Sequence, residues 1–275
     1  MYDLHLHSTF SDGRFDVEKI VSEIDENSFS GMSLTDHDTV DGLNLAKDYC
    51  NKKDIDFIPG IEFGITYKKK EIHILGYFID YNNKEISELI DKLKIDRKIR
   101  IRKIINRLKD LNLDVSFDEL QKYVKKDIVS RSHIARLLVE KTYVNNIKEA
   151  FDIYLGQDGL AYIEKNNYNI KKVINIIKSA GGVSVLAHPG TIKDDDIVKE
   201  IINLGIDGIE IINSKHSLED IVKYNDLCDN YKLIATAGSD CHGKVIDSKL
   251  LIGNYYLNYK NVEKIKKLHS IRLNK

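Results

Sequence analysis

The chain has 275 residues, of which 42% are hydrophobic and 31% charged, and its formal net charge is −1. This balance is typical of a globular protein rather than a disordered one, and no apolar run approaches the roughly 18 residues that a membrane span requires. The three cysteines are scattered, which argues against a disulfide framework. Because the first residues also lack the pattern of a signal peptide, we expect a cytoplasmic protein without a membrane association.

Short β-type segments alternate with helical segments in two parts of the chain. In the first part, strands are predicted at 2–7, 31–35, 56–65 and 71–79, and helices at 17–27 and 42–52. In the second part, helices are predicted at 170–179, 195–204 and 218–230, and strands at 183–187, 208–212 and 233–237. Repeated units of this size predict a parallel barrel or a doubly wound sheet.

A helical region separates the two alternating parts. Apolar residues at helical spacing predict a long helix at 86–111, followed by shorter helices near 117–125, 132–141 and 147–154. We interpret 86–159 as a helical insertion into a domain formed by 1–85 and 160–275. The long helix carries a basic stripe between Lys92 and Lys109, which is either a solvated helix face or a surface that attracts phosphates or RNA.

Short polar motifs stand at the predicted strand ends, which is where active sites lie in barrels. Side chains two residues apart on a strand share a face, so His5 aligns with His7 and Asp240 with His242, while Cys241 turns away. The candidate metal ligands are His5, His7, Asp12, His37, Glu62, His73, His188, Asp240 and His242. Burying so many imidazoles and carboxylates is costly unless divalent metals neutralise them, and these nitrogen and oxygen donors suit Mn²⁺, Fe²⁺ or Zn²⁺. More than four candidates imply more than one ion, an arrangement used for hydrolysis of phosphate esters.

The motifs resemble, in the same order, those of the polymerase and histidinol phosphatase (PHP) superfamily. The resemblance is carried by His5-Leu6-His7-Ser8, Thr35-Asp36-His37-Asp38, Pro59-Gly60-Ile61-Glu62, His188-Pro189 and Ser239-Asp240-Cys241-His242. The inserted Arg131-Ser132-His133 is similar to one branch, that of nucleoside 3′,5′-bisphosphate phosphatases and 5′→3′ RNA exonucleases, although that branch often has proline where Ser132 stands. The resemblance implies an α/β fold, a distorted (β/α)7 TIM-like barrel with an inserted helical subdomain.

The resemblance also implies two to three divalent transition metals. The first ion would be held by His5, His7, Glu62 and Asp240, the second by a bridging Glu62 with His73 and His188, and the third by Asp12, His37 and His242. Asp36 and Asp38 flank a ligand, and they either orient it or cap the helix that follows.

We therefore expect a metal-dependent phosphoesterase that hydrolyses nucleotide phosphate esters, namely nucleoside 3′,5′-bisphosphates or the 5′ ends of short RNA, by a metal-bridged hydroxide. Catalysis would fall to Glu62, Asp240 and His188. The candidates for binding the substrate phosphate are Arg131, His133 and His216, with Arg131 also compatible with a surface residue at a helix start. His269 is expected on the surface. The alternatives are a small-molecule phosphatase, such as a histidinol-phosphate phosphatase, and a non-catalytic PHP structural module; no obligate protein partner is evident.

Overall fold

The computed structural model describes residues 1–124, 128–243, 245–246 and 249–274. The strands are β1 (Tyr2–Leu6), β2 (Gly31–Leu34), β3 (Asp56–Tyr67), β4 (Lys70–Tyr77), β5 (Val183–Leu186), β6 (Gly208–Asn213), β7 (Ile234–Gly238), β8 (Val245–Ile246) and β9 (Lys249–Leu250). The α-helices are α1 (Val17–Glu26), α2 (Leu43–Lys52), α3 (Lys84–Asp110), α4 (Phe117–Leu120), α5 (Arg131–Glu140), α6 (Ile147–Ala150), α7 (Ile170–Ser179), α8 (Asp195–Asn203), α9 (Leu218–Tyr231) and α10 (Tyr259–Leu273). No helix in these ranges is both long and apolar enough to cross a lipid bilayer.

Strands β1 to β7 form one sheet in the order in which they follow each other along the described chain. All neighbouring pairs are parallel except β3–β4 and β4–β5, which are antiparallel. The sheet closes where β1 meets the end of β7: the Asp240 amide donates to the His5 carbonyl at 2.8 Å, and the His7 amide to the Cys241 carbonyl at 3.1 Å. This closure confirms the predicted distorted barrel and excludes the doubly wound sheet.

The reversed direction of β4 is the main distortion of the barrel. A parallel connection needs a crossover of a dozen or more residues, whereas only Lys68 and Lys69 separate β3 from β4. Both lysines have positive φ, 47° and 65°, as a tight hairpin turn requires. The hairpin sets Glu62 and His73 on adjacent strands, where the His73 ring reaches the Glu62 carboxylate.

Close contact between β1 and β7 depends on Gly238. A Cβ atom at this position would lie 2.3 Å from the Cβ of His5, which is far inside contact distance. Because the clash would be with the first strand itself, a larger residue would push β7 away from β1 and from the candidate ligands that follow both strands.

Two separate hydrophobic clusters meet along the long helix α3. Ile86 and Leu93 in its first half pack with the barrel and its helices, whereas Ile101 and Leu108 in its second half belong to a cluster with α5 and α6. The helices beyond the middle of α3 therefore have a core of their own. The division into a barrel (1–85 and 160–275) and an insertion (86–159) stays a prediction, because α3 contributes to both clusters.

Local structure in the helical region differs from the periodicity prediction. The helix expected at 117–125 ends at Leu120 and continues as a 3₁₀ turn, Gln121–Tyr123, and residue 125 lies outside the described residues. The helix expected at 147–154 ends at Ala150, and a π-helical turn, Phe151–Leu155, follows it. This turn brings the ring of Phe151 to the pocket described below.

The C-terminal helix α10 packs back onto the barrel. The expectation that His269 lies on the surface is wrong, because the ring of His269 is half-buried and stacks on Phe78 with 4.9 Å between ring centroids. Its Nδ1 also lies 2.8 Å from the Gly181 carbonyl oxygen, to which it donates. His269 is therefore a structural contact of the fold.

Candidate metal centre and substrate pocket

All nine candidate ligands converge at one end of the barrel. They come from β1 and the loop after it, the ends of β2, β5 and β7, and the β3–β4 hairpin. Their donor atoms fall into overlapping groups, each spanning less than 4.8 Å: His7, Asp12, His37 and His242; His5, His188 and Asp240; His5, His7 and Glu62; and His37, Glu62 and His73. Residues scattered over more than 230 positions of sequence thus form one continuous cluster.

The fully buried carboxylate of Glu62 lies at the centre of this cluster. Its Oε1 is 2.8 Å from His73 Nδ1 and 3.1 Å from His188 Nε2. Its Oε2 is 3.4 Å from His5 Nε2 and 3.3 Å from His7 Nε2. Oε2 also lies 2.9 Å from His37 Nδ1. Each oxygen therefore faces a different set of imidazoles, which is the arrangement that a bridging carboxylate needs.

Asp240 and Asp12 complete the cluster on either side of His7. Asp240 Oδ1 lies 3.1 Å from His7 Nε2. Asp12 Oδ1 lies 3.2 Å from His242 Nε2 and 3.9 Å from His37 Nε2. Since His7 stacks on the ring of His242 at 4.1 Å between centroids, the two sides of the cluster are in direct contact.

Several buried polar atoms of the cluster have no hydrogen-bond partner among the described residues. They include His5 Nε2, both ring nitrogens of His7, Asp12 Oδ1, His37 Nδ1, Glu62 Oε2 and Asp240 Oδ1. A buried polar atom without a partner is costly, so a concentration of them at one point requires another species to complete the site. Nitrogen and oxygen donors facing a shared space fit divalent transition metals.

The electrostatics of the cluster keep its carboxylates ionised but divide its imidazoles. Burial lowers the pKa of His5, His7 and His73, but the neighbouring carboxylates outweigh burial and raise the pKa of all three. Burial raises the pKa of Glu62, but His37, His73 and His5 outweigh it and hold that pKa well below its usual range. Burial lowers the pKa of His37 to about 4, against the opposing effects of Glu62 and Asp12. Burial, followed by the charge of Lys215, lowers the pKa of His188 to about 4 as well. Ionised carboxylates and neutral imidazoles are the forms that bind metal ions.

Glu210 supports two of the ligands from behind, and the sequence motifs did not reveal it. Its buried carboxylate lies 3.0 Å from His5 Nδ1 through Oε1 and accepts from the His188 amide at 2.8 Å through Oε2. A carboxylate behind an imidazole fixes the orientation and tautomer of the ring. A single glutamate on β6 has no sequence signature of this role, because its partner His5 is 205 positions away.

Asp36 and Asp38 do not cap the following helix, so that interpretation is wrong. Helix α2 begins after Gly42 without a side-chain cap. Asp36 instead accepts from the Ser8 amide at 2.7 Å and from the Ser11 hydroxyl at 2.5 Å, which holds the loop that carries Asp12. Asp38 accepts from the Gly64 amide at 3.1 Å and pairs with Arg97 of α3. Neither contact is to the ring of His37.

Cys241 takes no part in the candidate metal groups of the described chain. Its sulfur is buried and accepts from the Gly243 amide at 3.3 Å. The Cys241 side chain therefore does turn away from the candidate ligands on either side of it, as predicted, but strand alternation is not the cause. Strand β7 ends at Gly238, and Asp240 has a positive φ of 53°, so a tight turn aligns Asp240 with His242.

A cavity of about 440 Å³ opens from the cluster towards the helical region. Asp12, His37, His73, Asp240 and His242 line one end. Apolar side chains, among them Ile99, Phe151 and Tyr168, line another part of its wall. The cations on the wall are Arg14, Arg97, Arg100, Lys103, Arg131, Arg136, Lys165 and Lys215. The pocket thus joins the metal-ligand cluster to a positively charged surface, which attracts anions such as phosphates.

Some residues of the basic stripe of α3 lie at the pocket, where they could attract phosphates, and others lie outside it. Arg97, Arg100 and Lys103 face the pocket. Arg102 lies over the ring of Phe117 instead, and Lys94 pairs with Asp41 outside the pocket. One side of the stripe is therefore part of the cationic wall, whereas Arg102 and Lys94 make contacts outside it.

Arg131 is at the pocket, as the sequence predicts. It begins α5, its Nη2 lies 2.5 Å from Glu71 Oε2, and its guanidinium lies over the ring of Phe151 at 5.7 Å. Glu71 also pairs with Lys165 at 2.5 Å and lies 3.5 Å from His73 Nε2. One carboxylate therefore connects two cations of the wall to a candidate metal ligand.

Neither His133 nor His216 is among the residues that line the pocket, and their binding of a substrate phosphate stays a prediction. His133 is 1% exposed, and its Nδ1 accepts from the Ser130 amide at 3.1 Å at the start of α5. His216 donates through Nδ1 to the Ile211 carbonyl at 2.9 Å and accepts through Nε2 from the Gly190 amide at 3.1 Å. Since both nitrogens of His216 are engaged, it secures the loop that follows His188.

Comparison with known proteins identifies the family. The model of the PHP domain matches residues 3–184, about two thirds of the chain. The chain belongs to the PHP domain family. Among similar proteins, the 3′,5′-nucleoside bisphosphate phosphatase of Chromobacterium violaceum is 28% identical over 246 residues, which cover 87% of this chain and 86% of that protein. The 5′-3′ exoribonuclease Rnm of Escherichia coli is 28% identical over 249 residues, covering 88% and 85%.

Solved structures agree with this membership. A protein from Bifidobacterium adolescentis described as a metal-dependent phosphoesterase superposes with a TM-score of 0.88 at 26% identity, covering 97% of this chain and 96% of that one. A Chromobacterium violaceum protein described as an amidohydrolase, with bound sulfate and no metal, gives a TM-score of 0.88 at 25% identity with the same coverage. The PHP chain is therefore an enzyme, a metal-dependent phosphoesterase, and not a non-catalytic structural module.

Proposed function

We propose that this PHP enzyme hydrolyses phosphate esters of nucleotides, either nucleoside 3′,5′-bisphosphates or the 5′ ends of short RNA. The observation that carries the proposal is the single pocket that connects the metal-ligand cluster to the cations of α3 and α5. A substrate that places one phosphate at the metal-ligand cluster and a second on the cationic wall would occupy both ends of this pocket. The names of the Chromobacterium and Escherichia relatives support the same substrate class.

The cluster would hold two to three divalent metals, with Mn²⁺, Fe²⁺ and Zn²⁺ as the candidates. In our assignment, His5, His7, Glu62 and Asp240 hold one ion, Glu62, His73 and His188 a second, and Asp12, His37 and His242 a third. The two oxygens of Glu62, each near a different set of imidazoles, support its role as a bridge. When bound, the metals would lower the pKa of coordinated water and neutralise charge on the phosphoryl oxygens. We assign a catalytic role to Glu62, Asp240 and His188 because they would hold these metals.

The residues of the wall would bind and orient the rest of the substrate. The Arg131 guanidinium presents a planar fork of donors that suits a phosphate, and Lys165 adds a second charge beside the same Glu71. A substrate phosphate would compete with the Glu71 carboxylate for these two cations. Phe151, beneath Arg131, and Tyr168 offer apolar surface for a nucleoside.

A phosphate-release assay with Mn²⁺-loaded protein tests the proposal. It compares a nucleoside 3′,5′-bisphosphate, a short 5′-phosphorylated RNA and histidinol phosphate, with mononucleotide release followed for the RNA. We expect a kcat/KM for at least one of the two nucleotide substrates that exceeds that for histidinol phosphate by about a hundredfold, since the small substrate cannot reach the cationic wall. A preference for histidinol phosphate would contradict the proposal and favour a small-molecule phosphatase.

A further inference from the structure

We propose that Lys215 is a cation built into the metal centre: its ammonium shares the Asp240 carboxylate with the metal ion bound there and contacts the phosphoryl group of the substrate. This inference rests on the metal-dependent hydrolysis proposed above. Lys215 lies in the loop after β6. It is neither one of the nine candidate ligands nor one of the pocket cations on α3 and α5.

The backbone from which Lys215 projects is held in place by Asn213. The side-chain oxygen of Asn213 accepts from the Lys215 amide at 2.9 Å. Asn213 is itself fully buried, and its side-chain nitrogen donates to Glu210 Oε2 at 3.1 Å. Because Glu210 also contacts the ligands His5 and His188, the loop that carries Lys215 is fixed to the same support as the cluster.

The Lys215 ammonium is in direct contact with Asp240 Oδ2, and its side chain is 43% exposed and lines the pocket. The other oxygen of Asp240 lies 3.1 Å from His7 Nε2, so the ammonium and the imidazole donors approach the same carboxylate. Lys215 therefore acts on the centre of the cluster.

This placement distinguishes Lys215 from the other cations of the pocket. Lys165 pairs with Glu71, and Arg97 pairs with Asp38, neither of which is a candidate ligand. Of the lysines and arginines described on the pocket wall, Lys215 is the one that forms an ion pair with a candidate ligand. A metal ion on Asp240 would have to share that residue with a positive charge, and like charges at such close range repel strongly.

The same geometry gives Lys215 access to substrate. An ammonium at the end of a flexible stem has three donors, and it can keep one near Asp240 while another meets a phosphoryl oxygen. Lys215 would thereby weaken metal binding and strengthen binding of the phosphoryl group. These opposite effects are not expected of a residue that only stabilises the fold.

Mn²⁺ titration of metal-free protein tests the first effect without any turnover. Lys215→Met removes the charge but keeps the length, Lys215→Arg keeps the charge, and Lys165→Met removes a charge from the same pocket at a residue that pairs with no ligand. We expect Lys215→Met to bind one Mn²⁺ equivalent about tenfold more tightly than the wild type, with the other two variants within about threefold of it. Unchanged or weaker binding by Lys215→Met, or an equal gain in Lys165→Met, would overturn the sharing of Asp240.

Binding of inorganic phosphate to the Mn²⁺-saturated proteins, measured by calorimetry, tests the second effect. We expect Lys215→Met to lose about tenfold in phosphate affinity and Lys215→Arg to retain most of it. Wild-type affinity in Lys215→Met would overturn the substrate contact. Neither titration depends on which ester is hydrolysed, so failure of the proposed substrate class would be seen separately, in the phosphate-release assay.

Discussion

Buried carboxylates at the two ends of the barrel have opposite environments. At the N-terminal end of the strands, Asp207 accepts from the amide and hydroxyl of Ser184 at 2.8 and 2.7 Å and from Arg272 Nη2 at 2.6 Å. At the C-terminal end, Glu62 Oε2 and both ring nitrogens of His7 have no hydrogen-bond partner among the described residues. Hydrogen bonds within the protein satisfy the carboxylate at the N-terminal end, whereas the polar atoms at the C-terminal end require metals as partners.

The difference separates what stabilises this fold from what makes it an enzyme. Asp207 joins β6 to Arg272 at the end of α10 and also pairs with Lys178 of α7, so cations of the protein match its charge. The Glu62 cluster gathers imidazoles and carboxylates whose free donor atoms face a shared space. Changes at the metal end should therefore act on metal content and catalysis, and changes at the other end on stability.

The largest effect is expected from Glu62→Gln, which keeps the shape of the side chain but removes the charge. Since this carboxylate faces imidazoles on both sides, we expect lost metal and a fall in kcat/KM of at least about a thousandfold. Metal analysis and phosphate release measure the two effects. Glu164→Gln, an exposed carboxylate on the same pocket, is the matched control and should retain metal. Normal metal content and turnover in Glu62→Gln would exclude the bridging role.

A smaller and substrate-dependent effect is expected from Arg131→Ala. Loss of a charge-assisted contact should lower kcat/KM for a nucleoside 3′,5′-bisphosphate by about ten- to a hundredfold, and less for an aryl phosphate. Metal content should not change. Arg102→Ala, which alters the same cationic region but lies over Phe117 outside the pocket lining, should behave as the wild type. Equal losses on both substrates would place Arg131 on the scissile phosphate alone, and no loss on either would remove it from the site.

At the opposite end, Asp207→Asn should reduce the free energy of unfolding by about 2 kcal/mol while leaving metal content unchanged. Burial raises the pKa of Asp207, but Arg272 and Ser184 hold it below its ordinary value of 3.8. The ionised group thus adds stability above that pH, and the contribution disappears as the pH falls through the lower folded pKa. Denaturant unfolding should show a gap between wild type and variant that narrows below that pH. A gap that persists unchanged there would mean that the charge is not the cause.

The smallest effect is expected from Cys241→Ser. The thiol lies in a hydrophobic cluster, so a hydroxyl should cost roughly 1–2 kcal/mol of stability, with metal content and kcat/KM preserved. Loss of a full metal equivalent in this variant would make the sulfur a ligand after all.

The nine candidate ligands predicted from sequence motifs do gather at one end of the barrel, because each motif is local. His5 and His7, or Asp240 and His242, need only a strand end or a tight turn to act together. The closed barrel was also predictable from the order of these motifs. The reversed β4 was not inferred, although the short link through Lys68 and Lys69 leaves no room for a crossover.

The supporting contacts could not be predicted, because they join distant positions. His5 and Glu210 are 205 residues apart, and Arg97 reaches Asp38 over 59. Lys215 is a single lysine in a charged chain, without a motif around it. His216, by contrast, was a candidate for the pocket because it follows a strand. Both of its ring nitrogens are instead hydrogen-bonded to the backbone, at Ile211 and Gly190. A position at a strand end predicts a pocket residue only when the following loop directs the side chain into the pocket.

The most direct measurement is the metal content of the wild-type chain after reconstitution with Mn²⁺, Fe²⁺ or Zn²⁺ and removal of free ions. If the unpartnered donors around Glu62 form a multinuclear centre, elemental analysis should find about two to three ions per chain, since nine ligands exceed what one ion can use. Asp207→Asn should bind the same number. A wild-type chain that retains less than one equivalent of every metal would contradict the assignment of this end of the barrel as the metal centre.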